Sequence, residues 1–466
     1  MVKWWPALAI MVLFGFHCVL AATLPPADDE LYYWCWSQEL QPSYYDHPPM
    51  VAYLIRITTD LFGNTLFAVR LPACLCSLGS LLLLARLIRP ISYLPLLFLM
   101  PLYSVGAILI TPDAPLLLFW TAYLYWLVRL HESPQPRLWQ WALGGIILGC
   151  GILSKYTMGL SFGIAMLSLL VHQRHWRWLP GYLLHLVVAF IVTLPILIYN
   201  IRQDFAPILY QWHHAMQTAA PTVRHFPEFV GVQVLLAGVL PFVLVIWVWQ
   251  QRKTIALDPR LRVCAWMFVL PFLFFLSKAA RGRLEGNWAL VSYLAFWPLA
   301  IHTLHTWSQT RRRWALVTFT VPAAVSILVL VHVTMPLSLV PASLDRLTRL
   351  KSKYEAFSEL GKVARALPDT PLAFTPSYQL TAQMRFQGIA TEQIEGITRP
   401  SHFTLKPQRL QDQQQALVIV EGGLPPVLLI GFEPPELLGE YPVQVREHLS
   451  TKLYLFRLTR HQHAAR

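Results

Sequence analysis

Charge is scarce in this chain of 466 residues: Asp, Glu, Lys and Arg make up 13% of it, against 55% hydrophobic residues. A soluble domain of this size cannot present so apolar a composition to water, and the mean hydropathy of +0.46 excludes that class. Acidic residues are the scarcer sign, 24 against 37 basic, which leaves a formal charge of +13. In a soluble protein that excess would point to nucleic acid. Here the basic residues gather in short clusters between apolar runs, so the excess reads as membrane topology and no nucleic-acid partner is expected. Cysteine is also sparse. All six (Cys18, Cys35, Cys74, Cys76, Cys150 and Cys264) precede the last apolar run, which excludes a disulfide framework or a CxxC zinc site in the C-terminal region.

What the chain does have is apolar runs long enough to cross about 30 Å of hydrocarbon, each needing about 17 to 25 residues. About eleven are expected, near 4–23, 66–88, 91–110, 114–130, 138–154, 157–172, 179–199, 229–250, 263–278, 288–306 and 315–335. The first of these is read as a span and not as a signal peptide, because Trp4-Trp5-Pro6 makes a poor n-region. Lys3, Arg86, Arg89, Arg129, Arg137, Arg174, Arg177, Arg252, Lys253, Arg260, Arg262 and Arg311 to Arg313 all fall on one side, which the positive-inside rule makes cytoplasmic. An acid-rich loop at 24–65, the turns at Asp113 and Lys155, a loop at 200–228 and the turn Lys278 to Asn287 then lie outside.

From about 336 charges become frequent and balanced. Residues 1–335 are thus expected to form the membrane domain and 336–466 a small extracytoplasmic α/β domain. Leu347, Leu350, Tyr354, Phe357 and Val363 repeat at helical spacing, and Leu372 to Phe374 and Ala416 to Val420 have the look of short buried strands. The tail His461 to Arg466 is expected to be disordered.

Ionisable residues concentrate at the outer ends of the spans. Asp28, Asp29 and Glu30 precede Leu31-Tyr32-Tyr33-Trp34, and Tyr44-Tyr45-Asp46-His47-Pro48-Pro49 follows. A carboxylate in so apolar a setting gains proton affinity and is suited to accept a proton, although the same pattern also describes a solvated loop with an aromatic belt. Asp113 stands alone in Thr111-Pro112-Asp113-Ala114-Pro115, where a charge is costly unless partnered or used; a turn between prolines is the structural alternative. Lys155, Arg281 and Arg283 are cations at the same level, and snorkelling to head groups is their bland reading. Carboxylates and cations on one face suit transfer from a phosphate-linked donor: the acceptor hydroxyl loses a proton while the departing phosphate gains charge. The pair His213-His214 is read as an interface feature before a metal site.

The strings Asp29-Glu30-Leu31-Tyr32-Tyr33-Trp34, Tyr45-Asp46-His47-Pro48-Pro49, Thr111-Pro112-Asp113-Ala114-Pro115, Ser154-Lys155-Tyr156 and Glu285-Gly286-Asn287-Trp288 occur in an order that resembles the bacterial branch of the GT-C superfamily. That branch includes dolichyl-phosphate-mannose protein mannosyltransferase-like proteins and the lipid A sugar transferases for aminoarabinose and galacturonic acid. Thr375-Pro376-Ser377-Tyr378-Gln379-Leu380 extends the resemblance into the C-terminal region.

The resemblance implies an all-α polytopic fold and an inverting glycosyltransferase of the inner membrane. The donor it implies is a polyprenyl-phosphate sugar, and the acceptor a lipid A, surface glycan or protein. It places the base at Asp29, with Glu30, Asp46 and Asp113 as further catalytic acids. His47, Lys155, Arg281 and Arg283 would hold the donor phosphate, and Tyr33, Tyr45, Asn287, Trp288, Tyr378 and Gln379 would contact substrate. No cofactor is required by the pattern, although some members use a divalent metal, for which Asp29 and Asp113 are the implied ligands. Asp28 falls outside the matched pair. The family's aminoarabinose enzymes carry a lysine where this chain has His47 and an arginine where it has Tyr32-Tyr33, so neither sugar nor acceptor is specified. The rival readings are a transporter or flippase of lipid-linked sugars, disfavoured because the acids sit at span ends and no halves repeat, and a member that binds without catalysis.

Reporter fusions test the topology. A fusion after residue 340 should behave as extracytoplasmic, like one in the 24–65 loop; cytoplasmic activity there would defeat both the orientation and the reaction side.

Overall fold

The computed structural model describes residues 4–171, 177–216, 225–338, 340–367, 371–405 and 408–461. The protein is mostly helical with a small C-terminal sheet, and it divides into two compact units. One comprises Met1–Ala22 and His47–Leu330; the other comprises Thr23–Asp46 and Val331–Arg466. The segment expected as an outer loop at 24–65 holds the helices Asp28–Gln38 and Met50–Phe62, one in each unit. The expected tail residues 462–466 lie outside the described residues.

In the helical unit, five helices are long and apolar enough to cross a membrane: Trp5–Thr23, Leu66–Leu87, Leu179–Arg202, Pro259–Ala279 and the run Gln309–Thr334. Two more stretches expected as single spans are broken pairs. Ile91–Phe98 and Pro101–Ile108 bend by 79°, and His225–Ala237 and Leu240–Gln250 by 90°. The second bend has a plain cause. Gly238 takes a φ of +72°, which a glycine adopts freely at a helix end, and Pro241 opens the next helix, where its missing N–H costs nothing. The first has Pro101 at its break. The chain is therefore a multi-pass membrane protein in which, among the described residues, five helices are long and apolar enough to cross a membrane, or seven if each bent pair is one span. The other four stretches are also helical, but Leu138–Ser154 and Tyr156–Ser168 are short, Leu290–Thr306 has 17 residues, and Asp113–Glu132 carries Asp113, Arg129 and Glu132.

The expected loop at 200–228 also contains the helix Ala206–Met216. Packing in this unit is aromatic and close. Leu84, Trp120, Tyr123, Leu124, Phe268, Phe272, Leu294 and Phe296 form one buried cluster. Helix Leu138–Ser154 lies tightly against Leu179–Arg202 because glycines face it: a Cβ on Gly145 would come within 2.4 Å of the His185 carbonyl oxygen.

In the other unit, strands β1 (Ala373–Thr375), β2 (Thr391–Gln393), β3 (Gln415–Glu421), β4 (Glu436–Val445) and β5 (His448–Thr459) form a sheet of order β2-β1-β3-β5-β4. β1 runs parallel to β2 and β3, while β5 is antiparallel to β3 and β4. Successive residues of β3 alternate faces. Leu417 and Ile419 pack with Phe357, Leu360 and Met384, whereas Ala416, Val418 and Val420 pack with Phe374 and Leu458. Both faces are covered, which is why β3 reads as an unbroken apolar run. The expected helix is Arg346–Ala366 and the two expected strands are β1 and β3. Helix Asp28–Gln38 packs on helix Tyr378–Phe386 within this unit.

Substitution at Gly145 tests the close approach. Gly145→Ala should lower the unfolding temperature in detergent, equivalent to about 1–3 kcal/mol of overpacking. Gly163→Ala, where an added Cβ meets nothing within 4 Å, should be neutral or slightly stabilising. Equal losses at both sites would defeat this account.

Candidate active site

Helix Asp28–Gln38 begins with three acids, which suit the positive end of its dipole. Their side chains have different fates. Glu30 is buried and accepts the backbone N–H of Ala27 at 2.8 Å, so it caps the helix and is not presented as a free carboxylate. Asp28 accepts from Gln383 Nε2 at 2.8 Å and pairs with Lys353 at 3.6 Å; Lys353 also meets Glu421 at 3.1 Å. Asp29 Oδ1 accepts the Tyr378 hydroxyl at 2.9 Å. Burial raises the proton affinity of Asp29 above the ordinary aspartate value; Tyr378 and Arg399 oppose that, and Asp28 and Asp46 add to it.

Asp46 is buried and held from two sides, by the Tyr32 hydroxyl at 2.5 Å and by Arg399 Nη1 at 2.7 Å. The Tyr32 oxygen in turn accepts the His402 backbone N–H at 2.7 Å. Burial, followed by the charge of Arg385, lowers the His402 imidazole to about 4, so it is neutral at physiological pH. Aromatic rings surround these groups, with Tyr32 against Trp36, Tyr378 and Phe403 at centroid separations of 4.9, 4.7 and 5.1 Å. Tyr33 is buried against Trp36, Tyr45 is half-buried, and Gln379 is half-buried in the first turn of helix Tyr378–Phe386.

In the helical unit, Asp113 opens helix Asp113–Glu132 and is shared by two donors. Lys155 Nζ reaches Oδ1 at 2.8 Å and Asn287 Nδ2 reaches Oδ2 at 2.8 Å. Lys155 sits at the end of helix Leu138–Ser154, mostly buried, 5.7 Å from the centroid of Trp288. Lone Asp113, lone Lys155 and the Glu285 to Trp288 string thus converge. Arg281 and Arg283 are exposed, and Arg283 approaches Glu285 at 3.7 Å. His47 is half-buried in the same unit.

Among the described residues, no three of His, Cys, Asp and Glu lie close enough together to hold a metal ion. The side chains of His213 and His214 lie outside those described. Sequence reading missed Arg399, Tyr32 and Lys353. Arg399 carries no local signal in Thr398-Arg399-Pro400, a polar stretch with no apolar context to make a charge conspicuous.

The comparisons fall on the family that the motifs resemble. A model of the dolichyl-phosphate-mannose-protein mannosyltransferase family matches residues 46–199, which include Asp46, His47, Asp113 and Lys155. Lipid A galacturonosyltransferase RgtD of Rhizobium johnstonii is 24% identical over 64% of this chain and 66% of its own length. An undecaprenyl phosphate-alpha-4-amino-4-deoxy-L-arabinose arabinosyl transferase of Pseudomonas fluorescens is 24% identical over 50% of this chain and 44% of its own, and one of Erwinia tasmaniensis is 27% identical over 58% and 51%. The chain thus spans between about half and two thirds of the length of the curated relatives it matches. ArnT from Cupriavidus metallidurans, in a crystal structure bound to undecaprenyl phosphate, superposes with a TM-score of 0.67 over 98% of both chains at 16% identity, which shows a shared fold.

The Asp113 cluster yields a double-mutant test. Lys155→Met leaves a mostly buried carboxylate with Asn287 alone and should destabilise by about 1–3 kcal/mol, whereas Asp113→Asn in the same chain should restore part of the loss. Additive losses in thermal unfolding would show that the pair is not coupled.

Proposed function

We propose that the protein is a membrane glycosyltransferase that moves a sugar from a polyprenyl-phosphate donor to a lipid A, surface glycan or protein acceptor, with inversion at the anomeric carbon. The observation that carries this reading is Asp29, a solvent-exposed residue whose carboxyl is nonetheless crowded enough by its surroundings to have a raised proton affinity and whose one oxygen is oriented by Tyr378, in a chain whose relatives transfer sugars from undecaprenyl phosphate. In the proposed reaction the acceptor oxygen forms a bond to the anomeric carbon as the bond from that carbon to the phosphate oxygen breaks. Asp29 takes the acceptor proton, and the electron pair leaves with the polyprenyl phosphate. Lys155 is assigned to offset the phosphate charge, with Arg281, Arg283 and His47 as further donors of positive charge or hydrogen bonds. Asp46 and Asp113 orient neighbouring groups, and Glu30 supports the helix that carries Asp29.

The orientation and span count belong to the same reading. All eleven helical stretches are assigned to the membrane, including the short ones, and the basic clusters put Asp29 and the 336–466 domain on the extracytoplasmic side of the inner membrane. Against a transporter or flippase stands the pairing of Asp29 with a neutral hydroxyl, which suits proton acceptance, and the placement of Asp113 at a helix start, away from a span's midpoint.

Purified variants test the base. With undecaprenyl-phosphate-linked aminoarabinose or galacturonic acid as donor and lipid A as acceptor, Asp29→Asn should lower turnover by roughly 10² to 10⁴ and leave donor binding intact. Asp28→Asn, which keeps its bond to Gln383, should cost a few-fold at most. The reverse order would show that the base is misassigned. Where neither donor reacts, comparison of lipid A and surface-glycan masses between a deletion strain and its parent identifies the product, and identical masses would count against transferase activity.

A further inference from the structure

A polar side chain inside an apolar membrane helix needs partners within the protein, because hydrocarbon supplies none. Gln233 is such a residue. It stands in helix His225–Ala237, the first half of a bent pair apolar enough to cross a membrane, and it is fully buried. Its amide is used at both ends: Nε2 donates to the Gly286 carbonyl at 3.1 Å, and Oε1 accepts the Tyr293 hydroxyl at 2.7 Å. A carbonyl can only accept, so Gly286 sets which way the amide faces, and the phenol meets the oxygen. Tyr293 lies in helix Leu290–Thr306 and is buried as well. Neither Gln233 nor Tyr293 belongs to a string that drew attention in the sequence.

Gly286 opens the short helical turn Gly286–Ala289. The next residue is Asn287, whose Nδ2 holds Asp113 Oδ2, and after it comes Trp288, whose ring stands beside the Lys155 ammonium. The series Tyr293–Gln233–Gly286–Asn287–Asp113–Lys155 thus runs inside one compact unit. Helix and turn approach closely, since a Cβ on Gly286 would come within 2.4 Å of Val232 Cγ1. With Asn287 on Oδ2, Asp113 presents Oδ1 to Lys155, a contact that takes one of the three N–H bonds of the ammonium.

We propose that Gln233 is a positioning residue: by fixing the Gly286 carbonyl it keeps Asn287 on Asp113 and Trp288 beside Lys155, and so aims the Lys155 ammonium at the phosphate of a polyprenyl-phosphate lipid. This rests on the reading of Lys155 as the group that offsets the phosphate charge. Gln233 and Tyr293 act through the turn and do not touch the lipid. Their influence falls on its phosphate end and not on its chain.

Binding to the purified protein in detergent separates the two ends. Undecaprenyl phosphate is the probe, and undecaprenol, with the same chain and no phosphate, is the control. Gln233→Leu should raise the Kd for undecaprenyl phosphate about 2- to 10-fold, the range that one lost hydrogen bond allows, and leave the Kd for undecaprenol unchanged. Gly286→Ala, which crowds Val232 without removing a polar group, should do the same. Tyr293→Phe, which keeps the bond to Gly286, should have a smaller effect. In a Lys155→Met background, Gln233→Leu should add nothing. Thermal unfolding checks that each variant is folded, and Gly286→Ala decides if Gln233→Leu is not. Parental affinity in both Gln233→Leu and Gly286→Ala overturns the proposal. So do losses that multiply in the Lys155→Met background, and so does an equal loss for undecaprenol, which would make Gln233 a structural support only. Lys155→Met separates the two levels. If it binds undecaprenyl phosphate as the parent does, or if the parent does not prefer undecaprenyl phosphate to undecaprenol, the phosphate reading fails and this inference falls with it. If Lys155→Met binds weakly while the Gln233 and Gly286 variants bind as the parent does, only the positioning role fails.

Discussion

A carboxylate withdrawn from water must find donors, and in this protein three such carboxylates gather separate segments of the chain. Asp113 joins Lys155 and Asn287, Asp46 joins Tyr32 and Arg399, and Asp345 joins His332 and Arg446. Asp345 is fully buried. Burial pushes its proton affinity up, but the Thr348 N–H and His332 outweigh that and hold it below the ordinary value. Arg446, in the turn between β4 and β5, also donates to the carbonyls of Leu337 and Val340. One acid thus ties the sheet to the segment that follows the last apolar helix. Removing one partner of such a group would leave its charge less well compensated for the hydration it has lost.

The same constraint explains what was legible in the sequence. Asp113 and Lys155 stood out because each is a lone charge beside long apolar runs, and a lone charge there signals a partner; their 2.8 Å contact is that partner. The Gly238 and Pro241 signals of a broken helix were equally present but were absorbed into a hydropathy count, which weighs residues by polarity and is blind to φ. The β4–β5 hairpin escaped for another reason. Pro442 and Gly439 interrupt its alternation, and the pairing slips between Leu437 and Gly439 and again between Val443 and Gln444. Helix Asp28–Gln38 escaped because a helix buried on nearly all sides has no apolar stripe: residues from Glu30 to Ser37 are all buried.

Arg399 marks the boundary of such reading. Its importance comes from what surrounds it in space, a carboxylate 353 residues away in sequence and a ring on the neighbouring helix. Nothing in a polar stretch distinguishes an arginine that meets water from one that meets Asp46.

The adjacent acids Asp28 and Asp29 show how local geometry divides labour. Neighbours on a helix point about 100° apart, so two chemically identical side chains reach different partners. Asp28 reaches a cation, Lys353, and an amide, Gln383, in an arrangement that fixes the helix start. Asp29 reaches the neutral hydroxyl of Tyr378. A proton acceptor must be oriented without having its basicity quenched. A lysine at contact distance would hold the carboxylate strongly and lower its proton affinity, whereas a phenol orients it with a single bond and leaves burial as the larger influence. The sequence pattern placed Asp29 before Asp28 only through family resemblance; the proposed assignment is supported by a physical difference between the two, since Asp28 pairs with the Lys353 cation and Asp29 accepts from the neutral Tyr378 hydroxyl.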